Sequence, residues 1–407
     1  MSRLDELIAE LCPNGVRYRT LGELGYFYGG LNGKSKDDFT DGNAKFITYM
    51  NIFSNIALDS DISDYVKVGD TEKQNSVKYG DILFTGSSET PEECGMSSVL
   101  TEITDELLYL NSFCFGFRLH NDDLLLPHFS KYLFRSNELR KQIKKTASGV
   151  TRFNVSKKKM EQVSIPLPPI PVQEEIVRIL DNFTELSAEL SAELSAELSA
   201  RKKQYEYYKN YLMTFGDDVE WITLGEIGPV RMCKRIMKSE TSSDGDVPFF
   251  KIGTFGREPD AYITQEKYDE YKNAYSFPKK GDILISAAGT IGRTVIYDGE
   301  PAYYQDSNIV WIDNNEKRVL NKYLIYCYAM KPWAVSNGGT IARLYNDNIS
   351  KARIPVPSLE KQEQIVAILD RFDALCNDLT TGLPAEIEAR RKQYEYYRDK
   401  LLTFQEA

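Results

Sequence analysis

Glu185-Leu186-Ser187-Ala188 opens a run in which the same four letters recur through Ala200, four perfect copies of Glu-Leu-Ser-Ala in the middle of a 407-residue chain. No Gly or Pro interrupts the run, and every residue in it tolerates or favours helix. Leu186, Leu190, Leu194 and Leu198 lie four apart. A four-residue step overshoots one helical turn by about 40°, so these leucines form one slowly drifting stripe. Two readings compete: a rod that holds two things at a set distance, or a solvated linker helix. The flanking sequence separates them.

Residues 165–215 align with residues 354–404 at a constant offset of 189, without a gap. Ile165-Pro166-Leu167-Pro168 answers to Ile354-Pro355-Val356-Pro357, QEEIVRILD (173–181) to QEQIVAILD (362–370), and RKKQYEYY (201–208) to RRKQYEYY (390–397). The repeat leucines fall opposite Leu375, Leu379, Leu383 and Ile387, so the stripe exists twice and the two copies are candidates for helix pairing. Shorter echoes precede each copy: Thr20-Leu21-Gly22-Glu23 and Thr223-Leu224-Gly225-Glu226, Gly80-Asp81-Ile82-Leu83 and Gly281-Asp282-Ile283-Leu284, Lys131-Tyr132-Leu133 and Lys322-Tyr323-Leu324. Their order is kept while the rest diverges. That pattern fits one architecture used twice with two separate specificities.

The parts come in a clear order. Residues 1–168 form a first globule of short strand-like runs between Gly, Asn and Asp turns, with a helical stretch at about 127–145. The Pro-rich stretch 165–171 closes it, and Pro171 precedes or begins a helix from about Val172 to about Met213, with Gly216 as its stop. Residues 169–216 are thus a helical spacer, 217–356 a second globule, and 357–407 a second spacer that Gly382 and Pro384 break or kink. If the two leucine stripes pair, the spacers run antiparallel and the second returns toward the first globule. The expected fold is α+β: two similar globular domains separated by two long antiparallel helices, related by a pseudo-twofold axis.

Composition narrows the function. At 42% hydrophobic and 12% aromatic residues the chain is globular, and its length calls for more than one core. No apolar run approaches 18 residues and the start lacks a signal-peptide form, which points to a cytoplasmic soluble protein. Six cysteines without CxxC spacing and only two histidines read as buried free thiols rather than a zinc site. The formal net charge of −10 argues against a general nucleic-acid field, yet two zones are basic. Residues 131–160 hold ten Lys or Arg against Glu138, and 317–353 hold seven against Asp347. They occupy matching places in the two halves. A solvated face and a phosphate-facing surface are both compatible with them.

Catalytic motifs are missing. Gly29-Gly30-Leu31-Asn32-Gly33-Lys34-Ser35 ends like a phosphate-binding loop, but Tyr28 stands where the motif requires Gly, so a polar surface loop is the better reading of Lys34. There is no methyltransferase-style Asn-Pro-Pro-aromatic tetrapeptide. The chain offers polar, Gly-containing loops at paired positions instead: Gly86, Ser87 and Ser88 after the first GDIL strand, and Gly289, Thr290 and Arg293 after the second. Polar clusters follow at Asn111-Ser112 and at Gln305-Asp306-Ser307-Asn308. Thr151 and Arg152 in the first half, and Thr340 and Arg343 in the second, lie just before the Pro-rich hinges. With Lys144 and Lys145 of the basic zone, these are the candidate DNA-binding residues, because such side chains pair with base edges and phosphates. Taken singly, each loop is equally an ordinary β-turn.

Two divergent globules, each followed by a near-identical helical segment with a tetrapeptide repeat, resemble the specificity subunit of type I restriction-modification systems over the whole chain. The repeats differ from the usual form only in having Ser where Thr is commoner. The resemblance implies two target-recognition domains, each reading half of a bipartite double-stranded DNA site. It implies two methyltransferase subunits docked on the helical segments, with restriction subunits joining for cleavage. S-adenosylmethionine, ATP and magnesium would then sit in those partners, with no cofactor and no catalysis in this chain. The duplicated Tyr205, Tyr208, Tyr394 and Tyr397 suit two equivalent docking sites, or equally the core of a helix pair. A coiled-coil scaffold without sequence-specific DNA binding is the alternative.

Overall fold

The short echoes between the halves are devices of local structure. Thr20 and Thr223 each start a helical turn and take back a bond from their own chain: the Thr20 N–H donates to Glu23 Oε2 at 2.8 Å and the Thr223 N–H to Glu226 Oε2 at 2.7 Å. Both are capping boxes, which is what Thr-x-x-Glu encodes. In the Gly-Asp pairs, Gly80 and Gly281 adopt φ of +84° and +93°, a region costly for any residue with a Cβ. The buried carboxylates next to them, Asp81 and Asp282, accept from the N–H of Lys78 at 2.8 Å and of Lys279 at 2.7 Å.

The computed structural model describes residues 2–216, 218–335, 343–378 and 380–407, and the chain divides into two compact units. Unit 1 comprises residues 1–193 together with 387–407, and unit 2 comprises residues 194–386.

In unit 1, strand Arg17–Thr20 pairs antiparallel with Ser164–Leu167, so the Pro-rich segment closes the globule. The central sheet runs in the order Gly25–Gly29, Cys114–Leu119, Ile82–Thr85, Ser97–Val99, all antiparallel. A second sheet joins Tyr65–Val66, Ala44–Ile47, Leu108–Leu110 and Ser76–Val77, with the middle pair parallel. Unit 2 repeats the plan. Glu220–Thr223 pairs with Arg353–Val356, and the central sheet runs Val230–Arg231, Ile309–Ile312, Ile283–Ser286, Thr294–Ile296. Its second sheet keeps the same antiparallel-then-parallel order in Tyr262–Ile263, Val247–Phe250 and Tyr303–Tyr304. The helical stretch expected at 127–145 is two helices, Pro127–Leu133 and Asn137–Thr146, because Ser136 caps a new start.

The long helix runs Ile170–Leu212 without a break and contains all four repeats. Its start is clamped by a side chain that the duplication preserves. Gln173 is fully buried: its Oε1 accepts from the Leu126 N–H at 2.9 Å, and its Nε2 donates to the carbonyls of Leu124 and Pro168 at 3.0 and 2.7 Å. Gln362 does the same in unit 2, with the Leu320 N–H and the carbonyls of Arg318 and Pro357 at 2.9, 2.8 and 2.9 Å. Ile176 and Leu180, and their counterparts Ile365 and Leu369, then bury completely. The second segment is broken into Leu359–Asn377 and Leu383–Leu401. Gly382 lies at the break, where a Cβ would stand 2.6 Å from the Ala374 carbonyl.

Each unit is completed by the far end of the other segment. In unit 1, Tyr394 stacks on Phe183 at 5.7 Å and Tyr397 meets it edge-on at 5.9 Å, while Leu401 shares a groove with Ile179 nearer the start of the long helix. The two helices therefore run antiparallel there. The final residues pair with the first globule: the Val16 N–H donates to Gln405 at 2.8 Å and the Ala407 N–H to Val16 at 3.0 Å. In unit 2, Tyr208 stacks on Phe372 at 5.4 Å with Tyr205 at 6.4 Å.

The stripe leucines stay partly open. Leu186 is 60% and Leu375 38% exposed, while Leu190, Leu194, Leu198, Leu383 and Ile387 are half-buried and belong to no apolar core cluster. Leu379 lies outside the described residues.

Candidate nucleic-acid interface

In unit 1 the fully buried strand Ile82–Thr85 delivers the chain to Gly86. The Gly86 N–H donates to the Phe113 carbonyl at 2.8 Å, and a Cβ at residue 86 would stand 2.6 Å from that oxygen, so only glycine lets the two loops meet. Asn111 fixes the second loop, its Oδ1 accepting from the Phe113 N–H at 2.8 Å. A third segment joins when Phe153 and Asn154 pair with Ser88 and Ser87. The Arg152 guanidinium then donates to Ser87 Oγ from Nε at 3.1 Å and from Nη2 at 2.9 Å, and lies 5.5 Å from the centre of the Phe113 ring. Thr151 and Ser112 are exposed beside it. The result is a cleft of about 530 Å³ lined by Tyr49, Met50, Phe53, Ser87, Ser88, Phe113, Thr151 and Arg152, with Glu89 and Glu93.

Unit 2 builds a related place with other side chains. Ala287 N–H donates to the Asn308 carbonyl at 2.7 Å and Leu344 N–H to the Ala287 carbonyl at 2.9 Å, lacing three segments together. Arg343 Nη2 donates to the Ser307 carbonyl and to Ser307 Oγ, both at 3.1 Å, and its guanidinium lies 6.0 Å from the Tyr345 ring centre. Ser307, Arg343 and Tyr345 line a cleft of about 730 Å³ with Met232, Asn346, Asp347, Asn348 and Lys351. Gly289 and Thr290 are exposed in the neighbouring loop. Arg293 ties that loop to a distant segment, donating to the Phe255 carbonyl at 2.8 Å. Thr340 lies outside the described residues.

Two copies of the type I restriction modification DNA specificity domain match the chain, at residues 13–200 and 216–389. The chain belongs to this specificity family. A Haemophilus influenzae protein designated a type I restriction enzyme specificity subunit is 59% identical over 261 residues, which span 63% of this chain and 68% of that protein. The EcoR124I/EcoR124II specificity subunit of Escherichia coli is 34% identical over 61% of this chain and 65% of its own length. A chain solved in work on complex assembly and conformational transition of the type I R-M system superposes with a TM-score of 0.66 at 19% identity, covering 96% of this chain and 98% of that one. The HsdS subunit of Thermoanaerobacter tengcongensis gives 0.54 at 18% identity, covering 96% of both chains.

In this type I specificity subunit with two target-recognition domains, part of each basic zone is consumed by the fold, while Lys141, Lys157, Lys158 and Lys159 stay exposed. Arg135 is half-buried, its desolvation lowers its pKa to about 10, and it donates to the carbonyls of Ser97, Ile52 and Phe53 at 2.6–3.0 Å. Arg140 holds the carbonyls of Gly95, Glu92 and Cys94. Lys144 pairs with Glu92, Arg318 with Glu220, and Lys131 and Lys322 pair with the equivalent Asp181 and Asp370. Lys145 is exposed. Lys34 is also accounted for: its ammonium lies 2.6 Å from Glu72, and that contact, with Gln74 and the Gly69 N–H, lowers the Glu72 carboxyl to about 2. A nucleotide role for Lys34 is left without a free cation.

The candidate docking tyrosines also pack within their own units, through the Phe183 and Phe372 contacts, and burial pushes Tyr205 up to about 12. The equivalent Tyr207 and Tyr396 are the most open of the two sets, 64% and 63% exposed, and Tyr397 is 43% exposed. All six cysteines are buried free thiols. Among the described residues no acid, histidine and cysteine cluster could hold a metal, and no helix is long and apolar enough to cross a membrane. Sequence reasoning missed Tyr49, Met50, Phe113, Met232 and Tyr345, since an aromatic or methionine in a short element reads as core. Phe113 was findable from its neighbours, directly after the polar Asn111-Ser112.

Proposed function

We propose that the chain is the non-catalytic DNA-specificity subunit of a type I restriction-modification complex, acting on DNA in the cytoplasm. Residues 1–168 and 217–356 each read one half of a bipartite double-stranded target. Residues 169–216 and 357–407 set the spacer and carry two methyltransferase subunits, to which restriction subunits add. Adenine methylation and ATP-dependent cleavage, with S-adenosylmethionine, ATP and magnesium, belong to those partners. The observation that carries this reading is the division of labour within the duplication. What the halves share, capping boxes, Gly-Asp turns and the glutamine clamps, holds the fold. What differs surrounds the Arg152 and Arg343 clefts.

Replacing residues 217–356 by the corresponding stretch of a relative tests it. Methylation sequencing of a host carrying the hybrid is expected to show one altered half-site and one unchanged. Alteration of both would end the modular reading. A scaffold that binds proteins alone predicts something different in a gel shift with the purified methyltransferase complex, namely no sequence-specific, salt-dependent retardation.

A further inference from the structure

Resting on the DNA-reading role proposed above, we propose that Arg152 and Arg343 are the specificity-determining residues of the two domains, each offering a braced guanidinium to the edge of a guanine in its own half-site.

The two arginines reach corresponding turns from backbone positions two residues apart: the Val155 N–H donates to the Gly86 carbonyl as the Leu344 N–H does to that of Ala287, which sets Arg343 opposite Asn154. In unit 1 Cys114 lies opposite Thr85, and in unit 2 Ile309 lies opposite Ser286. Thr85 and Ser286 close the two matching GDIL strands, so Phe113 corresponds to Asn308 and Ser112 to Ser307. Arg152 and Arg343 each come from the segment just before the Pro-rich hinge, and each reaches this same turn. Arg152 lies over Phe113, and Arg343 bonds to Ser307 and, at 3.4 Å, to Asn308.

Both guanidiniums are held yet underused. Arg152 spends Nε and Nη2 on one hydroxyl, leaving Nη1 without a partner among the described residues. Among the described residues Arg343 uses Nη2 alone. Neither makes an ion pair among the described residues, whereas Lys144, Arg318, Lys131 and Lys322 all do. Of the three carboxylates in the two clefts, Glu93 already accepts from Ser88 and Thr90, Asp347 pairs with Lys351, and Glu89 is exposed without an ion pair among the described residues. Each arginine lies near an aromatic ring that the fold leaves open, Phe113 at 59% and Tyr345 at 55% exposed.

A flexible side chain loses rotamer freedom on binding, and a preset one loses less. Ser307 adds a second mark of construction. It is one of three non-glycine residues with positive φ among the described residues, at +53°, and its carbonyl and hydroxyl both face Arg343. Strained backbone of this kind persists where the surroundings over-determine it, typically at functional sites. A planar fork with spare donors matches guanine O6 and N7 in the major groove.

The test uses the assembled complex with its methyltransferase subunits and measures methylation specificity, gel-shift affinity and melting temperature. Arg343→Ala and Arg343→Lys are expected to relax one base pair of one half-site, with about a ten- to hundredfold loss of discrimination, and to leave the other half-site and the melting temperature unchanged. Arg152→Ala and Arg152→Lys are expected to act on the other half-site alone. Lysine keeps the charge and loses the fork, so full specificity in the lysine variants would overturn base reading in favour of a phosphate contact. Unchanged specificity in the alanine variants would overturn the assignment outright. So would uniform weakening at both half-sites with a lowered melting temperature, the mark of a fold staple. Phe113→Ala and Tyr345→Ala remove exposed rings outside the core and keep the question open to test if an arginine variant fails to fold. Severalfold weaker discrimination at the same base pair supports the brace, and no change there counts against it. Lack of any specific retardation by the wild-type complex would instead remove the DNA-reading role itself.

Discussion

Gln173 and Gln362 show what a single residue contributes here. Each ties a helix start to three backbone groups of its globule from a position with no exposure. Gln362→Ala strands a buried N–H and two carbonyls and opens a small cavity, so it is expected to lower the stability of unit 2 by about 3 kcal/mol. Denaturant unfolding measures this, with the exposed neighbour Glu363→Ala as a reference expected to stay within about 0.5 kcal/mol. Equal effects of the two substitutions would refute the clamp. The duplicated QEEIV motif was legible as a repeat and as the start of a helix. Its glutamine was not legible as a clamp, because the partners Leu124 and Leu126 lie 49 and 47 residues away. The same limit applied to the basic zones: Arg135 looks like any surface cation until its carbonyl acceptors, 38 to 83 residues distant, are known.

At the scale of elements the repeats are the most readable part and the least buried. Four-residue periodicity, helix-forming residues and the absence of breakers define Ile170–Leu212 almost to its ends, and Gly382 with Pro384 locate the interruption in the second copy. The exposure of Leu186 shows that one repeat can leave without opening a core. Deleting residues 187–190 shortens the helix by about 6 Å and turns its C-terminal portion by about 40°. The preferred spacer is expected to shorten while both half-sites keep their bases, as methylation sequencing of the two versions would show; an unchanged spacer would sink the role of the helix as a ruler. The helix at Arg3–Leu11 is an element the duplication does not repeat. It buries Leu4 into the first core and approaches Glu175 through Arg3 at 3.9 Å, over the face that holds Ile179. The corresponding Ile368 of unit 2 is 40% exposed.

At the scale of the whole molecule, each unit contains chain from both conserved segments. Removing residues 402–407 deletes Leu402 from the first core and the bonds joining Val16 to Gln405 and Ala407. Hydrogen exchange is expected to rise across unit 1, including strand Arg17–Thr20, and to stay unchanged in unit 2. Equal loss of protection in both units would contradict the assignment of the last residues to unit 1. The amino-acid sequence by itself determined the duplication, the helices and their break, and therefore the family. These rest on local propensity and on periodicity, which nearby residues carry. Only the tertiary structure decided which of many similar side chains are spent. It placed Tyr394 and Tyr208 against phenylalanines, closed Arg135 and Arg140 onto carbonyls, and left Arg152 and Arg343 braced with donors to spare. Burial and hydrogen-bond partners come from residues far apart in the chain, and no local pattern encodes them.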